Sequence, residues 1–361
     1  MNLFMPRIEI SLSQIQENTQ FLADFHMGKG VSLMGVTKAV LGEPSVAKAM
    51  IQGGVKFIAD SRIENILRMK NAGISIPFVL LRTPLSQAES IVENVDISLN
   101  TEMETLKKLS YHAKAQNKIH QVIIMVELGD LREGVLLSDL PHFIRETLSL
   151  PHITIIGIGC NLACYGGIIP DDKNMQELSE LVDSLEREFQ MNLEIISGGN
   201  SANYEWFKSC QNVGRINNIR LGESILLGCE TVSRKAIPGL HTGAFQLVAE
   251  VIESKKKPSL PFGEIGQDAF GNTPSFQDIG IHRRIIIALG KQDATPTSLH
   301  FDNKLKLLGS SSDHIIMDSK CDSIKVGDEV RASLDYGGLL STMTSPFIRK
   351  HFTNCNGYEA I

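Results

Sequence analysis

The stretch "KFIADSRIENILRMKNAG" (56–73) decides how the chain folds. Its first five residues are apolar enough for a strand buried on both faces. The rest, "SRIENILRMKNAG" (61–73), reads as a helix that begins with Ser and ends on Gly. Together they make one strand–helix unit. The same grammar recurs on both sides. Apolar runs stand at "VSLMGVT" (31–37), "PFVLL" (77–81), "VDISL" (95–99), "QVIIMVEL" (121–128), "ITIIGIG" (153–159), "LEIIS" (193–197) and "NNIRLG" (217–222). Helical patterns lie between them. "PSVAKAMIQGG" (44–54) opens on Pro and closes on Gly, "NTEMETLKKLSYHAKAQ" (100–116) opens on a capping-type Asn or Thr, and "PDDKNMQELSELVDSLEREF" (170–189) puts Leu178, Leu181, Val182 and Leu185 on one face. A leading helix, "SLSQIQENTQFLADF" (11–25), precedes the first apolar run.

Eight strands alternating with helices predict a (β/α)8 TIM barrel. An open doubly wound sheet is the alternative, because a pattern of elements does not establish closure. After about residue 235 the pattern changes. "GAFQLVAEVIESKKKPSLPFGEIG", "RRIIIALGKQD", "LKLLGSSSDHIIMD" and "DEVRASLDYGG" are short strands punctuated by Gly, Pro and Ser. The expected organisation is therefore a barrel over residues 1–234 and a C-terminal β-rich domain over 235–361.

Composition narrows the function classes. The chain has 361 residues, 42% hydrophobic and 21% charged, with a net charge of -6, and it shows no basic stripe interleaved with aromatics. Nucleic acid is not the expected partner. No apolar run approaches the ~18 residues of a membrane span. The opening "MNLFMPRIEISLSQI" lacks the basic segment and cleavage site of a secretion signal, and the six cysteines follow no regular spacing. A cytoplasmic protein with reduced thiols is expected. "CNLAC" (160–164) has no second Cys/His pair nearby, so no metal is expected there.

Function in such a barrel sits where strands run into βα loops. Those junctions carry Lys38, Asp60, Arg62, Arg82, Asn100, Arg132, Asn161, Asn200, Ser201 and Arg220. Lys38, in "VTKAV", is the unusual one. Burying an ammonium without a partner is costly, and burial lowers its pKa toward a nucleophilic amine. A lysine that reaches the surface is the plainer reading. Across the barrel mouth, "SGGNSAN" (197–203) and "RLGES" (220–224) follow the last two strands, where such barrels commonly hold phosphate. A desolvated amine facing a phosphate cradle suits pyridoxal 5'-phosphate.

These residues resemble the fold-type III pyridoxal phosphate enzymes, the alanine racemase group, in its alanine/ornithine racemase branch. The resemblance covers nearly the whole chain, through "PRIEI", "GVTKAV", "GGVKFIADSRIENI", "ELGDLREGV", "GCNLACYGG", "EIISGGNS", "NNIRLGESILLG" and "SSSDHIIMD". It implies an amino-acid racemase that exchanges the α-proton, with ornithine the expected substrate and alanine or lysine the alternatives. It implies that Lys38 carries the cofactor and that Arg220 faces the pyridine nitrogen. Gly222, Asn200 and Ser201 lie at the phosphate, Asn161 stands where the group often has a ring-stacking histidine, and Arg132 lies in the substrate region. It also implies a homodimer in which the β domain of one subunit closes the barrel mouth of the other.

Three departures from the group stand out. Gly42 replaces a phosphate-contacting tyrosine, Met125 replaces a lysine that partners the substrate arginine, and "GEIGQDAFGN" (263–272) lacks the tyrosine that serves as second base. Asp268 is the candidate for that base, with His314 the alternative. The plainer reading of Asp268 is a turn residue bound to its own backbone. Two other functions remain open: a pyridoxal phosphate homeostasis protein without racemase activity, and a metal-assisted aldolase or dehydratase. Residues 235–361 count against the first, because such proteins are a bare barrel. The second needs a C-terminal His/Cys metal pair, which His314 with Cys321 or Cys355 does not offer at a recognisable spacing.

Overall fold

The computed structural model describes residues 5–353. Its chain order begins with strand β1 (Arg7–Ser11) and helix α1 (Leu12–Met27). Eight strands follow: β2 (Ser32–Val36), β3 (Phe57–Asp60), β4 (Phe78–Leu80), β5 (Ile97–Asn100), β6 (His120–Met125), β7 (Ile153–Gly159), β8 (Ile195–Ser197) and β9 (Asn218–Leu221). The helices after them are α2 (Pro44–Gln52), α3 (Ile63–Asn71), α4 (Ala88–Asn94), α5 (Met103–Ala115), α6 (Leu140–Leu148), α7 (Asp172–Phe189), α8 (Tyr204–Ser209) and α9 (Glu223–Leu227). Strands β2 to β9 are all parallel, and β9 pairs back onto β2. The sheet is closed, so the barrel is right and the open sheet is excluded. All eight expected strands are present.

One apolar cluster fills the ring: Met34, Val36, Ala59, Val79, Ile97, Leu99, Ile123, Met125, Ile156 and Ile195. Side chains alternate across a strand, so these residues define which positions face inward. The register Met34↔Arg220 puts Arg220 on the inner face as well. Asp60 and Asn100 each follow an inward residue and face out. Asp60 accepts from the Thr37 hydroxyl at 2.7 Å, the Asn65 amide at 2.9 Å and the Arg62 backbone at 3.0 Å, so it stabilises the start of α3. Asn100 ends β5 and donates to Ser98, rather than capping the next helix as expected.

The chain divides into two compact units, residues 12–242 and residues 5–11 with 243–353. The boundary expected near 235 thus falls a few residues later. Buried Asn18 of α1 explains this, since its amide donates to Ile225 and His241 carbonyls and accepts from the His241 backbone. The first strand was expected with the barrel but belongs to the second unit. That unit contains β10 (Phe245–Pro258), β11 (Ile281–Ile287), β12 (Leu299–Phe301), β13 (Leu305–Ser310), β14 (Ile315–Ser319), β15 (Glu329–Leu334), α10 (Tyr336–Thr344) and β16 (Arg349–Thr353). β1 runs antiparallel to β10 and parallel to β16. Nearly buried Arg7 anchors it through Glu9 at 2.7 Å and Glu329 at 2.9 Å.

Two histidines of the barrel unit are buried without charge. His26 Nδ1 donates to the Leu22 carbonyl at 2.7 Å, and His120 meets the Ser98 hydroxyl at 2.8 Å. Burial pushes both rings down to about 4 from the usual 6.5. As pH falls below 6.5, the unfolded chain takes up protons that the native chain refuses. The stabilisation from each is full above that value and lost by pH 4, about 3 kcal/mol apiece. The midpoint of urea unfolding is therefore expected to fall steeply between pH 6.5 and 4.5, and less steeply in His120→Gln.

Candidate active site

Lys38 lies two residues beyond inward-facing Val36, in a single 3-10 turn (Lys38–Val40) that follows β2. Its neighbour Thr37 is fully buried and bonded to Asp60, which fixes the backbone on which Lys38 stands. Among the described residues no carboxylate pairs with the Lys38 amine. Burial lowers its pKa, and the guanidinium groups of Arg132 and Arg220 lower it further. The amine is held toward its uncharged, nucleophilic form.

Arg220 is the most constrained group of the site. Its side chain is buried inside the barrel, where no carboxylate meets it among the described residues. One Nη donates to the Ser197 hydroxyl at 2.5 Å, and the other donates to the Cys160 carbonyl at 2.8 Å and Asn161 Oδ1 at 3.2 Å. Burial lowers its pKa as well.

A directed chain leads from Arg220 to the loop after β8. Asn200 accepts from the Ala202 backbone at 2.8 Å, so its Nδ2 must point away and donate. It donates to Asn161 Oδ1 at 3.0 Å and to the Leu162 carbonyl at 2.9 Å. Asn161 Oδ1 therefore receives two donors, which settles the orientation of that amide. Its Nδ2 is left buried with no partner among the described residues. A buried amide donor without an acceptor costs on the order of 1–3 kcal/mol. Ser201 continues the cradle. Its hydroxyl lies 3.1 Å from the Ser224 hydroxyl and accepts from the Ser224 backbone at 3.2 Å, linking the loops after β8 and β9. At Gly222, a Cβ would stand 3.2 Å from both Cβ and O of Val36, so a side chain there would press on the end of β2.

Gly198 and Gly199 precede Asn200 in this loop. Both have an internal reason to be glycine: a Cβ on Gly198 would lie 2.8 Å from Ile216, and one on Gly199, at φ +139°, 2.3 Å from Asn203 Oδ1. Arg132 is half-exposed and forks onto the carboxylate of Glu133, its neighbour in sequence. Glu133 thus gives it an anionic partner, while Met125 is buried in the barrel interior. Arg62 and Arg82 are exposed.

Asp268 belongs to the other unit and matches its plainer reading. Its Oδ1 accepts from the Phe270 backbone at 2.9 Å and the Asn272 backbone at 2.8 Å, and those amides hold the exposed carboxyl below its usual range. His314 Nδ1 lies 2.8 Å from the Asp313 carboxylate. The metal alternative gains nothing from the geometry. No cluster of three metal-ligating side chains occurs among the described residues, and Cys355 lies outside them. Burial pushes the Cys160 thiol up to about 12, so it stays protonated.

The chain is similar to known proteins along nearly its whole length. The family model described as alanine racemase, N-terminal domain, matches residues 10–229. Ornithine racemase of Acetoanaerobium sticklandii is 42% identical over 350 residues, 96% of this chain and 99% of that protein. Lysine racemase of Thermotoga maritima is 38% identical, covering 96% of this chain and 98% of that protein. The crystal structure of alanine racemase from Bacillus anthracis shares the fold, with a TM-score of 0.77 at 17% identity, over 100% of this chain and 98% of that one. The chain belongs to the alanine racemase N-terminal domain family. It is an amino-acid racemase.

Gly42 shows that one departure from the group is built into the backbone. Its φ is +58°, and a Cβ there would stand 2.7 Å from Asn65 Cβ, so no tyrosine fits without moving α3. Gly42→Ala is expected to destabilise the fold by about 1–3 kcal/mol, measured by denaturant unfolding.

Proposed function

We propose that this racemase interconverts L- and D-ornithine, with pyridoxal 5'-phosphate joined to Lys38. The observation that carries this reading is a buried lysine amine at the end of a barrel strand, whose pKa is lowered by burial and by the charges of Arg132 and Arg220. The buried, unpartnered Asn161 Nδ2 supports it, because an anionic or carbonyl-bearing group beside Arg220 would satisfy that donor. The donor set fits the cofactor: Lys38 would carry it, Arg220 would face its ring nitrogen, and Asn161, Asn200, Ser201 and Gly222 would line the rest. When bound, pyridoxal phosphate draws off the electron pair left as an amino acid loses its α-proton.

The chain's own groups do the rest. Lys38 Nζ takes the α-proton on one face and returns one to it. Arg220 cannot accept a proton, since a guanidinium is a donor only. Facing the ring nitrogen of the bound cofactor, Arg220 would donate to it rather than take a proton from it. That weakens the electron sink the cofactor would supply, which favours simple proton exchange over decarboxylation. Arg132, its plane set by Glu133, offers its remaining N–H groups to a substrate carboxylate. On the opposite face Asp268 is proposed as the second acid/base, with His314 the alternative. To act, Asp268 must release the two backbone amides it now accepts. A homodimer and a cytoplasmic location are proposed on the resemblance to the group.

Incubated separately with L-ornithine, L-lysine and L-alanine, the protein is expected to lose optical rotation fastest with L-ornithine. Faster turnover of alanine overturns the substrate assignment. Lys38→Ala is expected to lower the rate by at least about 10²–10⁴-fold. Borohydride reduction should leave a pyridoxyl group on the tryptic peptide containing Lys38. Asp268→Asn is expected to slow deuterium uptake from solvent in one direction far more than in the other, and equal slowing removes Asp268 from the role.

A further inference from the structure

The mechanism leaves one buried carboxylate of the barrel mouth unused. Asp130 is 0% exposed and forms no ion pair within 4 Å among the described residues. Its partners are backbone amides of one loop, the segment that leaves β7. Oδ2 accepts from Cys164 at 3.1 Å and Tyr165 at 2.9 Å, and Oδ1 accepts from Ile168 at 3.3 Å. The Asp130 carbonyl accepts from the Gly166 backbone at 3.0 Å. Four N–H groups of a five-residue segment therefore converge on one residue 34 to 38 positions earlier in the chain. The loop is curled to make this possible, with Ala163 at φ 53° and Gly167 at φ 72°. The approach is tight, since a Cβ on Gly166 would stand 2.7 Å from the Asp130 carbonyl oxygen.

The two ends of this contact lead to different parts of the site. Asp130 lies two residues before Arg132, on the loop after β6. The loop it holds starts with Asn161 and Leu162, the acceptors of Asn200, and carries Cys164, whose Sγ lies 3.5 Å from Asn200 Nδ2. We propose that Asp130 is a positioning residue, whose carboxylate clamps the loop after β7 to the loop after β6 and thereby sets the Asn161–Asn200 chain against Arg132. Burial alone would raise its carboxyl pKa, but the amides of Tyr165, Cys164 and Ile168 outweigh that and keep it ionised. Only an ionised carboxylate suits the clamp, because it accepts on both oxygens. An asparagine of the same size would turn one acceptor into a donor facing N–H groups. The inference rests on the functional reading only for what the clamp serves; the clamp itself is a property of the loop.

Hydrogen exchange on Asp130→Asn separates the two. In the variant, amides 164–168 are expected to exchange at least about tenfold faster than in the parent protein, while β6 amides keep their protection. Titration of the cofactor-free protein with pyridoxal phosphate should show affinity weakened about tenfold or more, with KM for the amino acid rising more than kcat falls. Gly166→Ala, which presses on the Asp130 carbonyl and leaves the carboxylate in place, should give the same pattern and serves if Asp130→Asn does not fold. Retained protection of 164–168 overturns the clamp, and so does a released loop with unchanged cofactor affinity and KM. A parent protein that takes up no pyridoxal phosphate overturns the functional reading instead, and the exchange measurement still decides the clamp.

Discussion

A guanidinium buried in the barrel with no carboxylate beside it constrains everything around it. Arg220 cannot shed its charge at any ordinary pH, so its surroundings must supply neutral acceptors. Ser197, the Cys160 carbonyl and Asn161 do this, and each is fixed by doing so. Asn161 can serve Arg220 only with its oxygen, which also takes the Asn200 donor and leaves Nδ2 bare. One charge thus dictates the orientation of two amides and the polarity of the pocket. Burial lowers the pKa of the Lys38 amine, and the charges of Arg132 and Arg220 lower it further. Arg220 therefore orders the polar groups around it and acts on the charge of Lys38.

The candidate site side chains rest on supporting residues. Thr37 and Asp60 hold the turn that presents Lys38. Ser224 holds Ser201, and Glu133 sets the plane of Arg132. The supports lie at or after the ends of β2, β3, β6 and β9, so the site is assembled from strand ends far apart in the chain, as in barrel enzymes generally. The full-length correspondence with two racemases includes the second unit, which a bare-barrel binding protein would not have. Gly42, in turn, marks where this chain leaves the group's pattern by rebuilding the loop backbone itself.

The residues that sequence reading reached and missed divide along physical lines. Lys38, Asn161, Asn200, Ser201 and Arg220 stand out in the sequence because each is a polar group in or shortly after an apolar run. Asp60 and Asn100 sit at the same kind of junction yet face outward, and only the parity set by Ala59 and Leu99 tells them apart. Asp130 left no signal as a clamp, since its partners are backbone amides, and amides carry no residue type. The assignment of β1 failed for a related reason. "RIEIS" reads as a strand, but its pairing with β10 and β16 joins residues more than 230 positions apart.

What the sequence determined alone is the set of elements and the class of chemistry. Apolar runs of strand length separated by capped, amphipathic helices leave few alternatives to a parallel sheet, and a lysine ending one run announces its cost locally. Closure of the ring, the inward or outward direction of each strand-end residue and the hydrogen-bond chain from Arg220 to Asn200 were decided only by tertiary structure. Those depend on register and on backbone groups brought together across the barrel, and neither is written in the order of side chains along the chain.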